Sequence, residues 1–249
     1  MAGQLGALST AISTEITRLD SPIDAMYLIH KALQAEAARV EEMVRTLNGG
    51  DSLQNVRSAF NLWAAALVFH AQQEDVYMTG PMPDFQAART NESEHAGLAS
   101  LLGDLGAFVA ANDERGLADR VKEAMAALHE EQHTKLIEKL EDVMLVLNEE
   151  IGKTRLVART HRHLYQRVVG LRVAQDDHLE SEEAFVLPEI RQQFSEAAQL
   201  KMIRQLLIDQ AAEDRGWVLD WVAERLVPGE RRLLANLSTR CDMVAVAAD

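Results

Sequence analysis

The stretch His178-Leu-Glu-Ser-Glu182-Glu183-Ala-Phe-Val-Leu-Pro188 has a near twin earlier in the chain, His70-Ala-Gln-Gln-Glu74-Asp75-Val-Tyr-Met-Thr-Gly-Pro81. Each sets a His and a carboxylate four residues apart and follows them with a second acid. An apolar segment then runs up to a Pro, or to the residue before one. On an α-helix, residues four apart lie one above the other on the same face. A His and a Glu so placed can hold one metal ion, or two adjacent ions, from the same side.

The residues around these turns repeat at helical spacing. A first helix is predicted after Ser21-Pro22, a good cap followed by Pro in the first turn. Its seam reads Met26, His30, Leu33, Ala37, Val40, Val44 and Leu47, and Asn48-Gly49-Gly50 ends it. A second begins near Asp51 or Ser52, with Val56, Phe60, Trp63, Leu67, His70, Glu74 and Tyr77 on its seam. A third, at about 88–111, carries His95, Leu98, Leu102, Leu105 and Val109. A fourth, at about 117–150, carries His129, His133, Leu136, Leu140, Val143 and Leu147. A fifth, at about 155–193, carries Val157, His161, Leu164, Val168, Leu171, His178, Glu182 and Phe185. A sixth, at about 196–226, holds Leu200, Ile203, Leu207, Trp217 and Trp221, the two Trp read as packing. Pro228-Gly229 is taken to close it, leaving a weakly ordered tail to 249. No convincing period-2 strand occurs, so the fold class is all-α.

The bulk numbers set limits on function. The chain has 249 residues, 47% of them hydrophobic and 26% charged, which suits a globular protein able to bury its own core. A formal net charge of −14 argues against nucleic acid or an anionic membrane as partner. Cys241 is the one cysteine, so no disulfide framework and no thiolate metal site can form. The first residues have no basic stretch followed by an apolar run, and no run is long enough to span a bilayer. A cytoplasmic location is expected.

Facing one core, the seams would bury His30, His70, Glu74, His95, His129, His133, His161, His178 and Glu182. An ionised carboxylate buried without a partner costs several kcal/mol or more. Two divalent cations would offset two such carboxylates, and neutral imidazoles could complete the site. Imidazole with carboxylate oxygen suits iron or manganese, and zinc less specifically. His129 and His133, four apart with two acids between them, are read as ligands rather than as part of a solvated face. His161 and His163 are read as structural or outer-sphere groups. Glu183 and Asp75 lie off the seam, where they orient neighbours or meet solvent.

This set resembles the hemerythrin-like (HHE cation-binding) family over roughly 22–193. His30 matches the first-helix ligand, His70 and Glu74 the second-helix pair, and His129 and His133 the paired third-helix histidines. His178 and Glu182 match the last pair, and Glu74 and Glu182 correspond to the bridging carboxylates. The family bundle has four helices, whereas here five carry seam histidines. His95 is therefore an alternative ligand, in a register that would strand His178 and Glu182. The set with both acids is preferred, which makes the helix at about 88–111 an insertion.

The resemblance implies an antiparallel helical bundle with one or two additional helices. Its expected extent is 22–193, with 196–249 packed on it. It also implies a centre of two iron ions, with manganese or zinc possible, whose small ligand is O2, NO or peroxide. Binding, sensing or stress defence is the first functional expectation. A diiron oxidase or oxygenase on a small organic substrate is the second, and a non-catalytic helical interaction module the third.

Overall fold

Ser21 and Pro22 start the first helix as their chemistry requires. The computed structural model describes residues 15–48, 53–82 and 158–246. Among them the α-helices are α1 (Ala25–Arg45), α2 (Gln54–Glu74), α3 (Ala158–Ser181), α4 (Leu187–Gln193), α5 (Glu196–Leu207), α6 (Trp217–Arg225) and α7 (Pro228–Val246). The described residues contain no strand, and the chain is all-α. The helices expected at about 88–111 and 117–150 fall outside the described residues.

A single 3-10 turn, Pro22–Asp24, leads into α1. The Asp24 carboxylate accepts from the backbone N–H of Asp20 at 2.8 Å and of Ser21 at 3.0 Å, and from the Ser21 hydroxyl at 3.0 Å. Arg191 of α4 donates to the same carboxylate at 2.7 Å, so the entry to α1 is tied to the end of α4. The helix start is thus held by the local capping chemistry its sequence advertises and by one distant cation.

α1 is the central helix, packed against α2, α3, α6 and α7. Its seam residues Met26, His30, Leu33, Ala37, Val40 and Val44 are all buried. The middle of α2 is buried almost all round, from Phe60 and Trp63 through Ala64–Ala66 to Leu67, Val68 and Phe69. An α-helix apolar around its circumference belongs to an interior. From α3, Leu164, Val168 and Leu171 close the core against α1. Trp63 Nε1–H donates to Gln175 Oε1 at 2.6 Å, both residues being buried, which fixes the register of α2 against α3.

Two departures from the expected seams have one cause. After Glu74 the chain makes a π-turn, Asp75–Thr79, and after Ser181 it makes another, Glu182–Val186. Their wide hydrogen bonds run from Gly80 N–H to Asp75 O and from Leu187 N–H to Glu182 O. A π-turn holds one residue more than an α-turn, so the buried stripe arrives one residue late. Met78 and Thr79 are buried while Tyr77 is 37% exposed; Val186 and Leu187 are buried while Phe185 is 61% exposed. The expectation that Tyr77 and Phe185 continue the core seam is therefore corrected in both twins.

The C-terminal part also differs from expectation. Instead of one helix at 196–226 there are α5 and α6, separated by a turn. The Asp209 carboxylate accepts from the Ala211 N–H at 3.0 Å and from Trp217 Nε1 at 2.8 Å, drawing the backbone out of helical form. Pro228 opens α7 and does not close what precedes it, and the expected weakly ordered tail is helical to Val246. Proline suits the first helical position, because its missing N–H would have no helical partner there. Glu230 completes the start by accepting from the Val227 N–H at 3.3 Å, the carboxylate half of a capping box. The same fully buried carboxylate accepts from the Ile16 N–H at 3.0 Å and from Lys31 Nζ at 2.5 Å. It joins the segment before α1, α1 itself and α7.

The candidate metal centre

Three helices bring their polar seam positions to one buried place. α1 supplies His30, the last turns of α2 supply His70 and Glu74, and the end of α3 with the following π-turn supplies His178 and Glu182. One donor atom from each of His30, His70, Glu74 and Glu182 lies within 4.8 Å of the others, and all four residues are buried. The His30 and His70 rings meet edge to face, with centroids 5.2 Å apart.

Each i,i+4 pair closes on itself: His70 Nε2 is 3.1 Å from Glu74 Oε1, and His178 Nε2 is 3.2 Å from Glu182 Oε1. Glu182 turns its other oxygen, Oε2, to His30 Nε2 at 3.3 Å. Its carboxylate thus stands between imidazoles from α1 and α3. Glu183, the next residue, has Oε1 at 2.8 Å from His30 Nδ1 and is 32% exposed.

The electrostatics call for positive charge. Glu74 and Glu182 are 0% and 1% exposed, and the imidazoles of His70, His30 and His178 stand 3.1–3.3 Å from their carboxylate oxygens. Burial alone would lower the His30 pKa. Hydrogen bonds to Glu182 and Glu183, with the charges of Glu182 and Glu74, outweigh it and raise the value to about 10. Without a metal, a proton on His30 thus supplies positive charge beside the two buried carboxylates. Divalent cations supply more, and three imidazoles with two carboxylates and no thiolate form a donor set that iron, manganese or zinc accepts.

Of the expected site residues, the structure brings together His30, His70, Glu74, His178 and Glu182. His129, His133 and the alternative His95 lie outside the described residues. His161 stands away from the cluster, its Nε2 donating at 2.6 Å to the Val44 carbonyl at the C-terminal end of α1. It satisfies a helix-end acceptor. Sequence reasoning left Glu183 without a partner and did not find the π-turns. The available signals were the second acid after each Glu and the Gly80-Pro81 and Pro188 that follow.

No helix of the described residues is long and apolar enough to cross a membrane. No curated protein and no solved structure matches the chain significantly. The family model for the hemerythrin HHE cation-binding domain matches residues 21–131, a shorter span than the 22–193 expected. It takes in His30, His70, Glu74, His95 and His129, and it ends before His133, His178 and Glu182. The buried His/Glu cluster and this match agree on a metal-binding helical protein: residues 21–131 match the hemerythrin HHE cation-binding domain, the family that the seam histidines resemble.

Proposed function

We propose that the chain is a non-haem diiron protein of the cytoplasm that binds or senses O2, or handles peroxide or NO. The observation that carries this reading is the convergence of His30, His70, Glu74 and Glu182 in one buried group, with His178 held against Glu182. In this reading His30, His70, Glu74, His129, His133, His178 and Glu182 hold two iron ions, with manganese or zinc as lesser fits. His129 and His133 enter on their sequence pattern, and His95 is their alternative. Residues 22–193 form the metal-holding bundle, with an inserted helix at about 88–111, and 196–249 pack on it.

Bound iron would supply a reversible redox couple and an open position for a small ligand. The chain's own residues do the rest. Glu74 and Glu182 offset the cationic charge, and both are shielded from bulk water. Leu33, Leu67 and Leu171, one or two turns from the ligands along α1, α2 and α3, are buried in apolar core. That lowers the local dielectric and strengthens every charge interaction inside it. The resemblance to the hemerythrin-like family implies that a set with five histidines and two acids favours reversible binding or sensing over oxygen activation.

The test is metal content with an optical spectrum, taken without air and then with it. About two iron ions per chain and a spectrum that changes reversibly with O2 are expected. Less than one transition-metal ion per chain after anaerobic loading with Fe(II) would overturn the reading. Sustained O2 consumption with an organic substrate would move the assignment to an oxidase or oxygenase. Strong metal loss in His95→Ala would replace His129 and His133 in the ligand set.

A further inference from the structure

We propose that Glu183 is a positioning residue: it fixes the orientation and protonation of the His30 ring so that Nε2 faces the metal-binding group. This rests on the metal reading above. Two consecutive residues grasp opposite edges of one imidazole. Glu182 Oε2 lies 3.3 Å from Nε2, and Glu183 Oε1 lies 2.8 Å from Nδ1. An ionised carboxylate only accepts, so Nδ1 keeps its proton against Glu183, and Nε2, which faces the cluster, is the nitrogen that would give up its proton to a cation. His30 itself is 1% exposed, and water has little access to hold the ring in place of Glu183.

The backbone explains how neighbours can do this. Successive residues on an α-helix point about 100° apart. Glu182 and Glu183 open the second π-turn, and their carboxylates stand on either side of the α1 histidine. The two acids then divide the labour by burial. Glu182 sits inside the cluster, whereas Glu183 keeps a third of its side chain in solvent and bears its charge at lower cost. A carboxylate on the outer nitrogen of a metal-bound imidazole fixes the ring and raises its basicity. Removing such a partner typically weakens metal affinity by about 10- to 100-fold.

The experiment compares Glu183→Ala, Glu183→Gln and, as a control, Glu180→Ala, which deletes an exposed carboxylate from the end of α3. Fe(II) affinity is measured without air by chelator competition. The Zn(II)-loaded proteins are then examined by 1H–15N NMR for the His30 Nδ1–H resonance. In Glu183→Ala we expect Fe(II) affinity to fall about 10- to 100-fold and the downfield Nδ1–H signal to vanish. Glu183→Gln, whose amide oxygen still accepts the N–H, should recover most of the affinity and keep the signal. Glu180→Ala should match wild type in both. Equal Fe(II) affinity in Glu183→Ala and Glu180→Ala overturns the proposal while leaving the metal reading intact. Wild-type protein that binds neither ion sinks both. If Glu183→Ala does not fold, Glu183→Gln decides by the same NMR signal: its absence overturns the proposal, and its presence with near-wild-type affinity supports it.

Discussion

Glu182→Gln removes one of the two buried negative charges of the centre while keeping the size and hydrogen-bonding capacity of the side chain. Glu182 is 1% exposed and stands 3.3 Å from His30 Nε2 and 3.2 Å from His178 Nε2. At about 3.3 Å and an effective dielectric of about 20, one unit of opposite charge is worth about 5 kcal/mol. A divalent cation gains more in attraction but loses more hydration. Measured costs of removing one partner of a buried pair are about 3–5 kcal/mol. At about 1.4 kcal/mol per factor of ten, metal affinity should fall roughly 100- to 4,000-fold. At least one metal ion should be lost on dialysis. Metal content and chelator competition measure this, and far-UV circular dichroism should show the helices largely unchanged. Full metal retention at wild-type affinity would refute the placement of the α3 end in the centre.

Two further outcomes follow from structure outside the ligand set. Glu36 is 1% exposed and accepts from Arg225 Nε at 2.7 Å, with Arg39 as a second partner. Burial would push its carboxyl up, but the hydrogen bonds from Arg39 and Arg225 outweigh that and hold it below its usual value. A depressed folded-state pKa gives stability that is present above the unfolded value and lost as pH falls through the folded one. Arg225→Ala should therefore cost about 2–3 kcal/mol at neutral pH, and urea titrations at falling pH should show the gap to wild type closing. A constant gap would count against the ion pair. At Gly80, a Cβ would lie 2.7 Å from the Asp75 carbonyl oxygen across the first π-turn. Gly80→Ala should cost about 1–3 kcal/mol and also weaken metal binding, because Glu74 immediately precedes that turn. Unchanged urea midpoint and metal affinity would show that the π-turn does not set the position of Glu74.

The parts legible in the sequence were those governed by local periodicity. The α1 seam from Met26 to Val44 and the α2 seam from Val56 to Glu74 are buried as spacing requires, because each depends only on a regular 3.6-residue repeat. The two His-x-x-x-Glu turns meet at one buried group for the same reason. What spacing could not reveal is where the repeat slips. At Tyr77 and Phe185 a single extra residue in a π-turn rotates the stripe, and the hints of it are weak: the second acid after each Glu and the Pro that follows. Pro228 was ambiguous in kind, since Pro-Gly follows helices and Pro also begins them. Only Glu230, three residues on from Val227, marks the second option. Glu183 looked peripheral because a seam is drawn within one helix, whereas its partner, His30, belongs to another.

The buried Glu230 carboxylate has a consequence for the order of events in synthesis. It accepts from Ile16 and Lys31, respectively 214 and 199 residues away along the chain, and Arg225 reaches back 189 residues to Glu36. Lys31 is the neighbour of His30. The helix that carries the first ligand thus completes its packing with groups emerging from the ribosome about 200 residues later. Contacts so distant in sequence raise the contact order well above that of a simple helical hairpin and slow the closing steps of folding. Until α6 and α7 arrive, Lys31 and Glu36 of α1 lack the partners Glu230 and Arg225, an incompletely packed state prone to association.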